Sequence, residues 1–404
     1  MTQALGYCAL LRLPRIATLL AATGLARLAS RMFVLAIVLY ALDRFHDPGF
    51  AGWLSFAAMA PGLATSPLSG AILDRIGAPR AILLDMAASA ALLVALAGTA
   101  WAGFDSRTLL VGLVGLFSLT SPLSAAGIRT LLPRLVPPTV LDRANALDTL
   151  VHGLVDVTGP ALAGLLAAFA EPPVTLLAIA ALYAAAAVCL HGVRGTGGVA
   201  SRPRPLLRQA AEGLLTVART PTLRGLVASY ALYQVGWGVL LVAVPVLIAR
   251  DVGSGAARDT LTGALWAASG AAGILGALLA GQVRAIHRER RFMALGMLAT
   301  ALALYPVAAR GEVAGLAVGL AVAGLVAGPI DVGVLTLRQR RTPPERLGRV
   351  LAVSMSLNLA GIPLGSALGG WLLGWAPDMA LPAAALAAGL AALACWRLVP
   401  AHDP

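Results

Sequence analysis

Long apolar runs separated by short polar or charged segments dominate the pattern of residues along the chain. A helix needs about 20 apolar residues to cross a bilayer. The pattern predicts twelve such spans, at about residues 16–41, 50–72, 80–101, 107–130, 146–169, 174–192, 224–249, 260–282, 292–309, 313–336, 350–375 and 380–397. The first run contains arginines and is followed by eleven others, so we do not interpret it as a cleaved signal peptide. The sequence therefore predicts an all-α integral membrane protein with 12 transmembrane helices and no water-soluble domain.

Composition and charge narrow the class of protein further. The 404 residues are 59% hydrophobic and 12% charged, with a mean hydropathy of +0.85, which excludes a water-soluble globular protein. The net charge is +12, every basic residue is an arginine, and most of the arginines fall in segments on one predicted side. By the positive-inside rule that side, with both termini, is cytoplasmic, and we expect a multi-pass protein of the cell membrane. Because no basic patch is interleaved with aromatic residues, we expect no nucleic-acid partner.

Motifs for a cofactor, a metal or a catalytic site are not found in the sequence. The three cysteines, Cys8, Cys189 and Cys395, have no paired spacing, which argues against disulfides and metal binding. The sequence has no nucleotide-binding loop, no lysine and no zinc-spaced histidine and glutamate cluster. We therefore expect no cofactor or metal and do not expect an enzyme, although a membrane enzyme stays an alternative.

An internal repeat divides the chain into two halves. An offset of 206 residues places Arg134–Gly164 on Arg340–Gly370 with ten identities, several of them Pro, Arg and Gly. His152 falls on Asn358, but Asp156 falls on Ile362, so the ionisable pattern belongs to the first half only. We predict an N-terminal six-helix bundle at 1–192, a cytoplasmic linker at 193–223 and a C-terminal six-helix bundle at 224–404. An even number of helices in each half makes them parallel repeats.

The loop between the second and third predicted spans carries the most specific motif. Gly70, Asp74, Arg75 and Gly77 are spaced as Gly-x-x-x-Asp-Arg-x-Gly, and Arg80 follows Pro79, which we expect to stop the helix. This order resembles the signature loop of major facilitator superfamily transporters, with the basic cluster of that family reduced to Arg80. The resemblance implies a conformational gating role for Gly70, Asp74, Arg75, Gly77 and Arg80.

A second motif favours export. The fifth span contains Gly153, Gly159, Pro160 and Gly164, which partly resemble the glycine and proline signature of the superfamily's drug–proton antiporters. Similar segments that contain Pro, Arg and Gly follow the fourth and tenth spans. Together with the motif of the fifth span, they make the sequence most similar to bacterial siderophore and multidrug exporters. The resemblance implies two six-helix bundles around a cavity that opens alternately to either side, driven by protons. Small residues at these positions also serve helix packing alone.

The predicted function is therefore secondary active transport, as proton-coupled export of a small amphipathic molecule, drug-like or siderophore-like. The expected partners are that small-molecule substrate, protons and membrane lipids, and we expect a monomer. Uptake, proton-independent transport, transport of a lipid-like solute and a non-transporting sensor or scaffold with the same fold are the alternatives.

Ionisable residues inside the first and fifth spans are the candidates for proton coupling. Arg27 and Arg31 lie four residues apart, and Asp148, His152 and Asp156 repeat at the same spacing, so each set shares one helical face. Arginine stays protonated in proteins, whereas carboxylates and imidazole exchange protons. Charges at this depth need partners. One interpretation makes Asp156 and His152 a proton relay, and the other makes Asp148 a helix-start acid and Asp156 a structural partner of Arg27 or Arg31.

The second half offers candidates for substrate contact. Tyr230, Tyr233, Gln234 and Trp237 share one face of the seventh span, where aromatic rings suit stacking on an amphipathic solute. Asn358 is a further candidate for lining the substrate cavity. Asp331, after Gly328 and Pro329, is a second candidate proton site or arginine partner. Ordinary packing is the alternative for the aromatic face, and Asp85, one turn inside the third span, is interpreted as structural.

Overall fold

The computed structural model describes residues 14–104, 106–136, 141–191, 206–282, 289–310, 313–342 and 344–400. The described residues are almost entirely helical. The helices are α1 (Pro14–Phe45), α2 (Pro48–Ile76), α3 (Ala78–Trp101), α4 (Arg107–Leu135), α5 (Leu141–Phe169), α6 (Pro172–His191), α7 (Leu206–Arg219), α8 (Pro221–Val252), α9 (Ala256–Gln282), α10 (Glu289–Arg310), α11 (Val313–Arg340), α12 (Pro344–Leu359), α13 (Gly361–Trp375) and α14 (Ala380–Leu398). A 3-10 turn, Pro377–Met379, precedes α14.

The prediction of an all-α membrane protein is confirmed. Within the described residues, ten segments are long and apolar enough to cross a membrane. Helices α2 and α10 occupy the two remaining predicted spans. The eleventh predicted span is two helices, α12 and α13, separated at Ala360. Pro363 explains the interruption, because proline lacks an N–H and its ring clashes with the carbonyl four residues earlier.

The turn between α2 and α3 corrects one expectation about the signature loop. Gly77 ends α2 with a φ of 81°, a left-handed conformation that favours glycine. Its N–H donates to the Leu73 carbonyl at 2.9 Å, and its carbonyl accepts from Ala81 at 3.1 Å. Pro79 lies in the first turn of α3, so it starts the next helix and does not stop the previous one. Arg75 and Arg80 are exposed.

Two residues of this loop fall beyond what the structure describes. The side chain of Asp74 and the surroundings of Gly70 lie outside the described part of the chain. The gating role of the loop stays a prediction.

The helices form two compact units. Unit 1 comprises the described residues up to Ala36 and from Ala57 to Leu206, and in it α3 packs against α4 and α6. Unit 2 comprises Ile37–Phe56 and the described residues from Leu207 onward. In unit 2, α8 packs against α13 and α14, and α11 packs against α9 and α10. Helix α7 occupies the end of the predicted linker.

Candidate functional site

The site of unit 1 depends on a close approach between α1 and α5. A methyl group on Gly159 would lie 2.6 Å from the Cβ atom of Arg31, and one on Gly24 would lie 3.1 Å from the Val151 side chain. Glycine at these positions therefore brings the backbone of each helix close to the side chains of the other. Helix α5 continues through Pro160, and Gly164 is buried whereas Gly153 is half-buried.

Arg27 and Asp148 form the first ion pair across this contact. Nη1 of Arg27 donates to Oδ1 of Asp148 at 2.7 Å, and Nη2 donates to Oδ2 at 3.0 Å. Two parallel hydrogen bonds make this a bidentate pair, which fixes direction as well as distance. The two side chains are 21% and 24% exposed. Asp148 is thus the partner of a half-buried arginine, which its position near the start of α5 did not reveal.

Arg31 and Asp156 form the second pair, farther along both helices. Nε of Arg31 lies 2.7 Å from Oδ1 of Asp156, without the geometry of a hydrogen bond. Nε2 of His152 lies 3.9 Å from the other carboxylate oxygen, Oδ2. The side chains of Arg31, Asp156 and His152 are 45%, 38% and 50% exposed, so this pair is more accessible than the first.

The arrangement joins a permanent cation to two groups that exchange protons. Arginine keeps its charge, so a proton added at this place goes to the carboxylate of Asp156 or to the imidazole of His152. A proton on Asp156 would remove the counter-charge of Arg31 and weaken the contact between α1 and α5. The geometry can therefore convert protonation into a change of helix packing.

Unit 2 holds the aromatic residues predicted to contact a solute. The hydroxyl of Tyr230 donates to Asp331, and the hydroxyl of Tyr233 lies 3.1 Å from that of Thr300. The rings of Tyr230, Tyr233 and Trp237 follow one another at centroid distances of 6.2 Å and 6.3 Å. Trp237 continues the series to Trp266 of α9 at 5.8 Å.

Burial separates these aromatic residues into two sets. Tyr230 and Trp237 are half-buried, whereas Tyr233 is 1% exposed and belongs to the core of unit 2. Gln234 is also buried, so the predicted face is not one continuous surface for a solute. Within the described residues, the buried indole N–H of Trp266 has no hydrogen-bond partner.

Asn358 lies in the interior of unit 2 and contacts a buried arginine. In the amide orientation that satisfies both ends, its oxygen accepts from Nη2 of Arg338 at 2.7 Å and its nitrogen donates to the Ser354 carbonyl at 3.1 Å. Asn358 and Arg338 are each 3% exposed. Asn358 therefore holds α11 against α12, and a solute would have to displace these side chains to reach it.

A metal site would need several cysteine, histidine or carboxylate side chains close together. Cys189 and Cys395 are free thiols, and Cys8 lies outside the described residues. Within the described ranges, no three His, Cys, Asp or Glu side chains are grouped so that they could hold a metal ion.

Comparison with known proteins identifies the family. The family model of the Major Facilitator Superfamily matches residues 19–233 and 226–404. The chain belongs to the major facilitator superfamily. An uncharacterized MFS-type transporter of Sinorhizobium fredii, y4rN, is 48% identical over 404 residues, which is 100% of both chains. The multidrug efflux pump Tap of Mycobacterium tuberculosis is 30% identical over 365 residues, covering 86% of this chain and 83% of Tap.

Solved structures of superfamily transporters share the fold. A D323A mutant of the nucleoside transporter NupG superposes with a TM-score of 0.80 at 11% identity, covering 96% of this chain and 100% of that one. A POT family transporter in complex with 5-aminolevulinic acid gives 0.75 at 12% identity, covering 95% of this chain and 96% of that one. At these identities the comparison supports the two-repeat fold and says nothing about substrate.

Proposed function

We propose that this transporter exports a small amphipathic molecule in exchange for protons and that Asp156 is the group that exchanges them. One observation carries the proposal: Asp156 touches the permanent cation Arg31 on one oxygen and lies near His152 on the other. The three side chains are 38% to 50% exposed, so the helices of unit 1 do not fully enclose any of them.

The proposed cycle follows from the charge of Arg31. With Asp156 ionised, the ion pair holds α1 against α5. A proton on Asp156 leaves Arg31 without its partner, so this contact weakens and the unit can adopt another packing. His152 delivers and receives the proton, since its Nε2 is the titratable atom 3.9 Å from the carboxylate. Asp331, hydrogen-bonded by Tyr230, is the second candidate for this role in the other unit.

Export, and not uptake, is supported by the relative Tap, a multidrug efflux pump that aligns with most of this chain. We propose that the solute stacks on Tyr230 and Trp237, which are the accessible members of the aromatic series. The unpartnered indole N–H of Trp266 would donate to an acceptor on the solute. An amphipathic molecule with an aromatic ring and a hydrogen-bond acceptor satisfies both features.

The arginine distribution supports a location in the cell membrane with both termini cytoplasmic. In that orientation Gly70, Asp74, Arg75, Gly77 and Arg80 form a cytoplasmic loop that we propose holds one state of the cycle. The transporter acts as a monomer and uses no cofactor in this proposal.

The test is proton-driven accumulation of an amphipathic dye, ethidium, by purified protein in vesicles with an imposed pH gradient. Asp156→Asn removes the charge and keeps the shape of the side chain. We expect this variant to lose the accumulation of ethidium against its concentration gradient. Movement of ethidium down its concentration gradient should continue. Asp378→Asn is the matched control, because Asp378 pairs with Arg250 at 2.7 Å but its side chain is 79% exposed. Gradient-driven accumulation by Asp156→Asn at the wild-type level would refute the proposal.

A further inference from the structure

Asp85 is the most enclosed carboxyl group described in unit 1. It lies in α3, which packs against α4 and α6, and only 3% of the residue is exposed. The hydroxyl of Ser89, one turn farther along α3, lies 3.4 Å from Oδ1 of Asp85 and donates to it. The hydroxyls of Thr120 and Ser124, on α4, also lie beside the carboxyl group.

The described surroundings of Asp85 contain hydroxyl groups but no cation. Tyr183 of α6 places its phenol near Asp85, Ser89 and Ser30 of α1, and Tyr183 is itself 4% exposed. Among the described residues, no arginine or histidine nitrogen lies within ion-pair distance of Asp85. The groups that face it are therefore Ser89 from α3, Thr120 and Ser124 from α4 and Tyr183 from α6, all of them neutral.

Burial without a paired cation and the lone pairs of two neighbouring hydroxyls favour an Asp85 carboxyl group that carries a proton, although the Ser89 hydroxyl donates to it. Thr120 donates its own hydrogen to the Phe117 carbonyl at 3.1 Å, so it presents lone pairs to Asp85. The buried Ser124 hydroxyl makes no hydrogen bond of good geometry among the described residues. A neutral carboxylic acid can donate to these oxygens, whereas a carboxylate can only accept. An ionised carboxylate in a buried place would also need a paired charge, which the described surroundings do not supply.

We propose that Asp85 is a second proton-binding site of this protein, separate from Asp156, and that it holds its proton as a neutral acid in this conformation. On binding, a proton bonds to one carboxylate oxygen and removes the negative charge. On release, that O–H bond breaks and the proton passes to water, which restores the carboxylate. The Tyr183 and Ser30 hydroxyls extend the polar path to α1, where Ser30 directly precedes Arg31.

The site stands on the geometry of unit 1 alone, and only its use in transport rests on the function proposed above. Unit 1 would then bind a second proton at Asp85, a carboxyl group that forms no ion pair among the described residues. Its release would require a conformation in which water reaches Asp85, because the charge has no partner in the enclosed state.

The test is infrared spectroscopy of the full-length protein in vesicles at neutral pH, with aspartate labelled at the side-chain carboxyl carbon. A protonated carboxyl group has a C=O stretching band distinct from those of a carboxylate, and the label shifts it. We expect the wild-type protein to show this band and Asp85→Asn to lose it. Asp156→Asn, the matched control, should keep it. Thr120→Val, which removes one acceptor, should move the band to higher frequency.

Two results would overturn the proposal. If Asp85→Asn leaves the protonated-carboxyl band unchanged and lowers the carboxylate bands, Asp85 is ionised. If Asp85→Asn does not fold, Thr120→Val decides, and an unmoved band in that variant excludes Asp85 as its source. Neither result depends on transport, so failure here leaves the role of Asp156 intact. Failure of the ethidium test leaves the Asp85 band unaffected.

Discussion

The contact between α1 and α5 in unit 1 and the contact of α8 with α12 and α13 in unit 2 are duplicates with different chemistry. The offset of 206 residues that relates the halves carries Arg27 to Tyr233 and Arg31 to Trp237. It also carries Asp148 to Ser354 and Asp156 to Ile362. Both ion pairs of unit 1 therefore have no charged equivalent in unit 2.

Both helix contacts contain a glycine at the equivalent position. Gly159 falls on Gly365 under the same offset, and each brings its helix close to the partner helix. A close approach at this glycine is thus common to both contacts, whereas the two arginines of α1 fall on aromatic residues of α8. The proposed function uses this difference, because it places proton exchange at the first contact and solute stacking at the second.

Substitution of the two equivalent glycines gives the largest expected effect. A methyl group on Gly365 would lie 2.8 Å from the carbonyl carbon of Val235, which is backbone and cannot rotate away. We expect Gly365→Ala to lower stability by about 3 kcal/mol, at the upper end of overpacking costs. Gly159→Ala should cost less, about 2 kcal/mol, because its methyl group meets one atom, Cβ of Arg31, whereas that of Gly365→Ala meets several backbone atoms of Val235.

Thermal unfolding of the purified variants in detergent measures this difference. Gly374→Ala is the matched control, since Gly374 lies in α13 and has no atom near enough to meet a methyl group. This substitution should leave the stability of the protein unchanged or raise it slightly, because alanine has a higher helix propensity than glycine. If Gly365→Ala and Gly159→Ala lower the unfolding temperature equally, the two helix contacts are equally intolerant of a methyl group. The expected difference between the two units would then be wrong.

Removal of one member of the Arg27 and Asp148 pair gives the next largest effect. Breaking a fully buried pair costs about 3 to 5 kcal/mol, and solvent reaches about a fifth of each side chain here, so we expect about 2 kcal/mol for Asp148→Leu. The double variant Arg27→Leu with Asp148→Leu should recover most of this loss, since it leaves no unpaired charge. A double-mutant cycle of unfolding free energies measures the coupling, and additive effects would show that the pair contributes nothing.

The sequence led to part of this site and missed the rest for identifiable reasons. Because two arginines in one span need counter-charges, charge balance pointed to Asp156, which contacts Arg31. The same reasoning missed Asp148, since an acid near a helix start has a sufficient local explanation. For Asp85 too, the position near a helix start is a sufficient local explanation, and the sequence does not show that this face of α3 meets the hydroxyls of α4.

The existence of the membrane-spanning helices was predictable, because length and hydropathy decide it, whereas α7 lies in the segment predicted as a linker. Helix interruption was not predicted at Ala360, although Pro363 carries the signal. The burial of Tyr233 and Asn358 depends on which residues of α10 and α11 lie opposite. Which residues lie opposite is decided by the packing between helices, and residue spacing along a single helix does not show it.

The smallest expected effect comes from Tyr233→Phe, at the position equivalent to Arg27. Thr300 donates its hydrogen to the Gly296 carbonyl at 3.1 Å, so the Tyr233 hydroxyl must be the donor in its contact with Thr300. Loss of the Tyr233 hydroxyl removes one hydrogen bond, and Thr300 keeps its own hydrogen bond to the Gly296 carbonyl. Hydrogen bonds between membrane helices contribute about 0.6 kcal/mol on average, so the unfolding temperature should fall only slightly. Ethidium export should continue, whereas Arg27→Leu should reduce it. If Tyr233→Phe lowers export as much as Arg27→Leu, the second contact takes part in coupling, and the division between charged and aromatic contacts is wrong.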